Sequence, residues 1–175
     1  MTDAGTNQRA GTTESYSPVL PDDVEDLVRA VLERVAAAEL SLATAESCTG
    51  GMLASILTDV QDLSGVFERG FVVYSDPAKC ELLGLAQADI DRCGAVSEEV
   101  AVAMAEGAVA NSKADIAVST TGYADDGPEP GLVHFACARR DGPTIHREER
   151  FGAIGRGPVR IESMRVALQM IESVL

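Results

Sequence analysis

Residues 41–57 read Ser-Leu-Ala-Thr-Ala-Glu-Ser-Cys-Thr-Gly-Gly-Met-Leu-Ala-Ser-Ile-Leu, and the fold turns on how this stretch changes character halfway along. Residues 41–45 are short and uncharged, which suits a buried strand, whereas the apolar residues 52–57 suit a helix. Gly50 and Gly51 sit where one gives way to the other. A strand that passes directly into a helix is the opening of an α/β unit, and the turn between them lies at the carboxyl end of the strand.

Outward from this unit the chain keeps alternating. Upstream, after Pro21, the residues Val24, Leu27, Val28, Val31, Leu32 and Val35 fall at helical spacing, with Asp22 and Asp23 at the end where the helix dipole favours acids. Residues 1–17 are polar, lack any hydrophobic period and read as a mobile, disordered tail. Downstream, residues 66–74 are rich in β-branched and aromatic side chains and read as a strand. Asp76 is placed to cap a short helix with Pro77 at its start, Lys79 in its first turn and Gly84 past its end. A further helix follows Ser97, with Glu98 and Glu99 in its first turn. Residues 115–120 then read as a strand, 122–130 as a polar connector, and 131–138 with 144–151 as a hairpin. Ile161, Met164, Leu168, Ile171 and Leu175 form the stripe of a closing helix. The expected fold is therefore α/β: a three-layer α/β/α single domain over residues 18–175, with a mixed, mostly parallel central sheet and a late β-hairpin.

Composition narrows the function. At 175 residues one domain can bury roughly 70% of its unfolded surface. Hydrophobic residues make up 46% and aromatics 4%, with no Trp, so the core is built from Ala, Val, Leu and Ile. The net charge is −14, and of fourteen basic residues only Lys79 and Lys113 are lysines. Such a field repels phosphate backbones and anionic lipid, which argues against nucleic-acid and membrane partners and for a small-molecule ligand. It also suits a salt-rich cytoplasm, where screening relieves self-repulsion. Cys48, Cys80, Cys93 and Cys137 are scattered, and His134 and His146 lack metal-ligand spacing, so neither a metal site nor a disulfide framework is expected. Reduced thiols, no apolar run of about 20 residues and no apolar signal core point to a cytoplasmic protein.

Glu46-Ser47-Cys48-Thr49-Gly50-Gly51 carries the strongest chemical signal. Between strand and helix it presents a hydroxyl beside unpaired backbone N–H groups, which with the helix dipole can hold a developing oxyanion. The glycines let a substrate approach the backbone closely. The same pattern reads equally well as Ser47 or Thr49 capping the helix. A nucleophilic serine needs a base. Lys79 is one candidate, since the first turn of a helix disfavours an ammonium and a neutral lysine accepts a proton; Tyr74 is placed to relay it. On the residues alone, an exposed Lys79 and a half-buried Tyr74 without chemical roles account for the pattern better. Thr121 and Gly122 end a strand and offer groups to a ligand at the sheet edge, and Arg156 and Arg160 in the glycine-rich entry to the last helix are able to seat a phosphate.

Four segments together resemble the CinA C-terminal domain family, from about residue 22 to the end. They are residues 44–51; Phe67 to Ser75 with Ala78 and Lys79; residues 94–100; and Phe151-Gly152 with Arg156, Val159 and Arg160. The resemblance implies a nicotinamide-nucleotide amidase in its stand-alone form, hydrolysing nicotinamide mononucleotide to nicotinate mononucleotide and ammonia in pyridine-nucleotide recycling. It implies a serine nucleophile at Ser47, a lysine base at Lys79 and an assisting tyrosine at Tyr74. Substrate contacts fall at Glu46, Cys48, Thr49, Gly50, Gly51, Thr121, Gly122, Arg156 and Arg160, and no metal or organic cofactor is required. The loop at residues 122–131 departs from the family's glycine-rich, lysine-bearing pattern: it is shorter and carries Asp125 and Asp126. Two other readings stand beside the amidase, a catalytically silent nucleotide-binding or interaction domain and a cysteine hydrolase using Cys48. A homodimer is the default assembly for an enzyme of this size.

Overall fold

Leu42–Glu46 (β1) is buried at every position, because strands flank it on both sides and helices cover both faces. The computed structural model describes residues 20–175, and the tail expected over residues 1–17 lies outside them. In chain order the elements are α1 (Asp22–Ala37), β1, α2 (Met52–Leu57), β2 (Phe67–Val72), α3 (Asp76–Leu83), α4 (Gln87–Cys93), α5 (Glu98–Ala110), β3 (Ile116–Gly122), β4 (Leu132–Arg139), β5 (Ile145–Arg150) and α6 (Arg156–Ser173). The sheet order is β2-β1-β3-β4-β5. β1 pairs parallel with β2 and β3, and the hairpin β4–β5 adds antiparallel to β3. Four of the five strands thus point the same way, in the mixed α/β sheet that the alternation of elements predicts.

Side-chain alternation sorts the core into two halves. Leu42, Ile116, Val118, Val133, Phe135 and Cys137 face α1, α2 and α6. Ala43, Ala45, Ala117, Ala136 and Ala138 face α3, α4 and α5. The second face is lined by small residues, so α5, itself rich in Ala and Gly, lies close against it. A Cβ on Gly107 would meet the Leu83 carbonyl at 2.3 Å, so α5 and the end of α3 touch through backbone. No helix among the described residues is long and apolar enough to cross a membrane.

Three local details differ from the sequence reading. The cap of α3 is Ser75, whose hydroxyl accepts from the Ala78 N–H at 3.3 Å; Asp76 is the first helical residue. β2 ends at Val72, two residues early, leaving Tyr74 in the connection to α3. The short helix α4 was not expected. It buries only Ile90 and lacks a side-chain cap, so it has neither stripe nor start signal to read.

Candidate active site

Successive strands run outward from β1 in opposite directions, to β2 on one side and through β3 to β4 on the other. The carboxyl ends of β1 and β3 therefore frame the crevice where open α/β sheets take ligands. The two ends are stitched together. The Ser47 N–H donates to the Thr120 carbonyl at 3.0 Å, and the Thr49 and Thr120 hydroxyls lie 2.8 Å apart.

The turn after β1 is held by Glu46. Its fully buried carboxylate accepts from the N–H groups of Gly51 (3.0 Å), Leu53 (3.0 Å) and Ala54 (2.7 Å), and from the Thr44 hydroxyl (3.1 Å). An acid at a helix N-terminus is favoured both by these donors and by the dipole. Gly50 and Gly51 have φ of +62° and +91°, a region costly for side chains, which lets the chain reverse into α2. From Ser47 to Ala54 every N–H has an acceptor among the described residues except those of Cys48 and Thr49. Those two donors belong to the two residues that follow Ser47 in the turn.

A cleft of about 230 Å³ opens here. Its walls include Ser47, Cys48, Tyr74, Lys79, Thr121, Gly122 and Arg156, joined by Asp76, Ala95, Val96, Tyr123 and Ala124. Lys79 is only 2% exposed, and its Nζ lies 3.5 Å from Asp76 Oδ1. Tyr74 stands at the mouth, 68% exposed. The Thr121 hydroxyl donates to the Ala95 carbonyl at 2.7 Å, tying the end of β3 to the loop before α5. A larger cleft of about 490 Å³ lies among Asp115, Arg139, Arg140 and Asp141 at the far end of the sheet, where the hydroxyl of Ser173 donates to the Met170 carbonyl at 2.7 Å.

The sequence-derived site residues thus fall into two groups. Ser47, Cys48, Tyr74, Lys79, Thr121, Gly122 and Arg156 share the cleft. Glu46, Thr49, Gly50, Gly51 and Arg160 lie behind it and shape the turn. Glu46 is engaged with α2, and the Arg160 guanidinium donates to the Thr49 carbonyl, its Nε at 3.1 Å. Burial pushes the Cys48 thiol up to about 11, so at neutral pH this group is not a thiolate. His134 and His146 stack on the adjacent hairpin, Nδ1 to Nε2 at 3.1 Å, and neither lines the cleft. The sequence reading named neither Asp76 nor Tyr123, both cleft walls, as a site residue. Asp76 carried a usable signal, an acid three residues before a lysine on a helix.

This is an α/β domain that brings a serine hydroxyl and a buried lysine together at the carboxyl edge of its sheet. Residues 24–175 match the family described as CinA C-terminal domain, and the chain belongs to it. The nicotinamide-nucleotide amidohydrolase PncC of Escherichia coli (strain K12) is 44% identical over 136 residues, covering 75% of this chain and 82% of that protein. A CinA-like protein of Akkermansia muciniphila is 50% identical over 123 residues, 67% of this chain, and the match spans only 30% of that relative's length. Among solved structures, the competence/damage inducible protein CihA from Agrobacterium tumefaciens superposes with a TM-score of 0.86 at 40% identity, covering 89% of this chain and 97% of that one.

Proposed function

We propose that this chain is an amidohydrolase that removes the carboxamide nitrogen of nicotinamide mononucleotide as ammonia, leaving nicotinate mononucleotide. The observation that carries the reading is the buried Lys79 amine sharing one cleft with the Ser47 hydroxyl. Similarity to a relative named nicotinamide-nucleotide amidohydrolase, over most of that relative's length, supports the substrate.

In this mechanism the Lys79 amine takes the Ser47 proton as Oγ attacks the carboxamide carbon. The tetrahedral oxyanion accepts from the free N–H groups of Cys48 and Thr49. Collapse breaks the C–N bond, the proton passes from Lys79 to the departing nitrogen, and ammonia leaves. Water then opens the Ser47 ester, with Lys79 accepting the water's proton and returning it to the departing Ser47 oxygen. Tyr74, at the mouth, assists the transfer through its hydroxyl. The reading places the chain in pyridine-nucleotide recycling, in the cytoplasm, as a homodimer.

The test is ammonia release from nicotinamide mononucleotide by the purified protein and its Ser47→Ala variant, at low and high salt. Turnover that disappears in the variant supports both activity and nucleophile. A second reading, a silent nucleotide-binding domain, is favoured by the acids that hold Arg156; saturable binding without turnover at either salt would establish it instead.

A further inference from the structure

Among the described residues, both basic side chains that line the cleft already have a carboxylate. Lys79 has Asp76. Arg156, at the start of α6, is met from across the mouth by two acids of the loop after β3: Asp125 Oδ2 lies 3.9 Å from its Nε and Asp126 Oδ2 3.3 Å from its Nη2. Neither acid is a cleft wall. Whether or not the Lys79 amine carries a charge, three carboxylates outnumber the positive groups and leave the mouth net negative, on a chain already at −14.

A phosphate monoester brings nearly two further negative charges. Its natural partner at this rim is the Arg156 guanidinium, a planar donor suited to tetrahedral anions. We propose that Asp125 and Asp126 are specificity-determining residues: they occupy Arg156 as an internal counter-anion, which a phosphate-bearing carboxamide has to displace and an uncharged one does not. The inference rests on the amidase reading for its ligand class. The clasp is exposed, with Arg156 at 45% and Asp126 at 93%, and pairs this exposed are weak. It therefore adjusts affinity without sealing the site. The cleft accordingly gives a phosphate little advantage, and the carboxamide nucleoside competes with the mononucleotide for it.

The test is calorimetric binding of nicotinamide mononucleotide and of its nucleoside to the full chain carrying Ser47→Ala, with and without Asp125→Asn and Asp126→Asn. Removing two acids at this range strengthens mononucleotide binding roughly tenfold at low salt. Nucleoside binding stays unchanged, and the difference narrows as salt rises. Repeating the comparison in an Arg156→Gln background abolishes the gain, because the double-mutant cycle isolates the clasp from general charge. The proposal is overturned by an equal gain for both ligands, by no gain, by a gain that survives Arg156→Gln, or by absence of binding of either ligand to any of the proteins. Ammonia release by the unaltered chain is followed in parallel. Its absence alongside ligand-selective binding overturns the amidase reading and leaves the clasp standing.

Discussion

Arg160 donates through Nε to the carbonyl oxygen of Thr49 at 3.1 Å, across 111 residues of sequence, and so fastens the closing helix to the turn that carries Ser47. A Cβ on Gly50 would stand 3.1 Å from the Arg160 Nη2 atom, so the guanidinium also packs closely against the turn. Glu46 grips the same turn from the α2 side through three backbone N–H groups. Ser47, the proposed nucleophile, is thereby positioned by side chains that do not line the cleft.

Arg160→Gln is expected to lower kcat/KM for the proposed reaction by about 10- to 100-fold, the loss of a charge-assisted hydrogen bond. Stability falls by about 1–2 kcal/mol, on the same basis. Steady-state kinetics and thermal melting check it. Unchanged kcat/KM in a folded variant would remove Arg160 from any positioning role.

Lys79→Met separates catalysis from stability. Lys79 is almost wholly buried, with one carboxylate partner at a long 3.5 Å. An apolar side chain of similar length needs no partner there, and Asp76 is exposed enough to keep water. The melting temperature is expected to hold or rise while ammonia release falls by at least about 10³-fold. A large drop in melting temperature would make Lys79 a structural residue and weaken the case for it as the base.

Periodicity made the helices legible because the apolar stripes of α1 and α6 are long, while β4 was readable as a mostly apolar run, buried at all but its last position. α4 escaped because a single buried Ile90 makes no pattern. At the site, residue type offered Ser47 and Lys79 only as candidates and the family resemblance singled them out, but neither could say which neighbours face the cleft. Glu46 and Arg160 looked like ligand groups and are engaged with backbone instead, because partners such as the Leu53 N–H and the Thr49 carbonyl become visible only once the turn is built. Asp125 and Asp126 were readable as acids, whereas their hold on Arg156 depends on a loop path that composition does not specify.

Cys48 adjoins the proposed nucleophile, yet burial holds its thiol at about 11 and it is 8% exposed. Alkylating reagents act on thiolates. Iodoacetamide at neutral pH is therefore expected to leave Cys48 unmodified by peptide mass spectrometry and ammonia release intact. Modification of Cys48 with parallel loss of activity would revive the cysteine-hydrolase reading.

His134 gives the fold a pH dependence of predictable sign. Burial between β5 and the start of α5 pushes its pKa below 6.5, against the opposing pull of Glu148 and Glu98; the His146 ring at 3.1 Å and Arg150 push the same way as burial. As pH falls below 6.5 the unfolded chain takes up this proton before the folded one does. Stability is thus fully present above 6.5 and declines below it, until the folded state also protonates. His134→Gln keeps a hydrogen-bonding partner for His146 and removes the titration, so its melting temperature is expected to decline less between about pH 6.5 and about pH 5. Asp23 and Glu68, held low by Arg165 and Arg69, act with the same sign in the more acidic carboxylate range and do not mask the comparison. Parallel declines in the two proteins would mean that His134 does not couple to unfolding, and that the hairpin's acid sensitivity resides in its carboxylates.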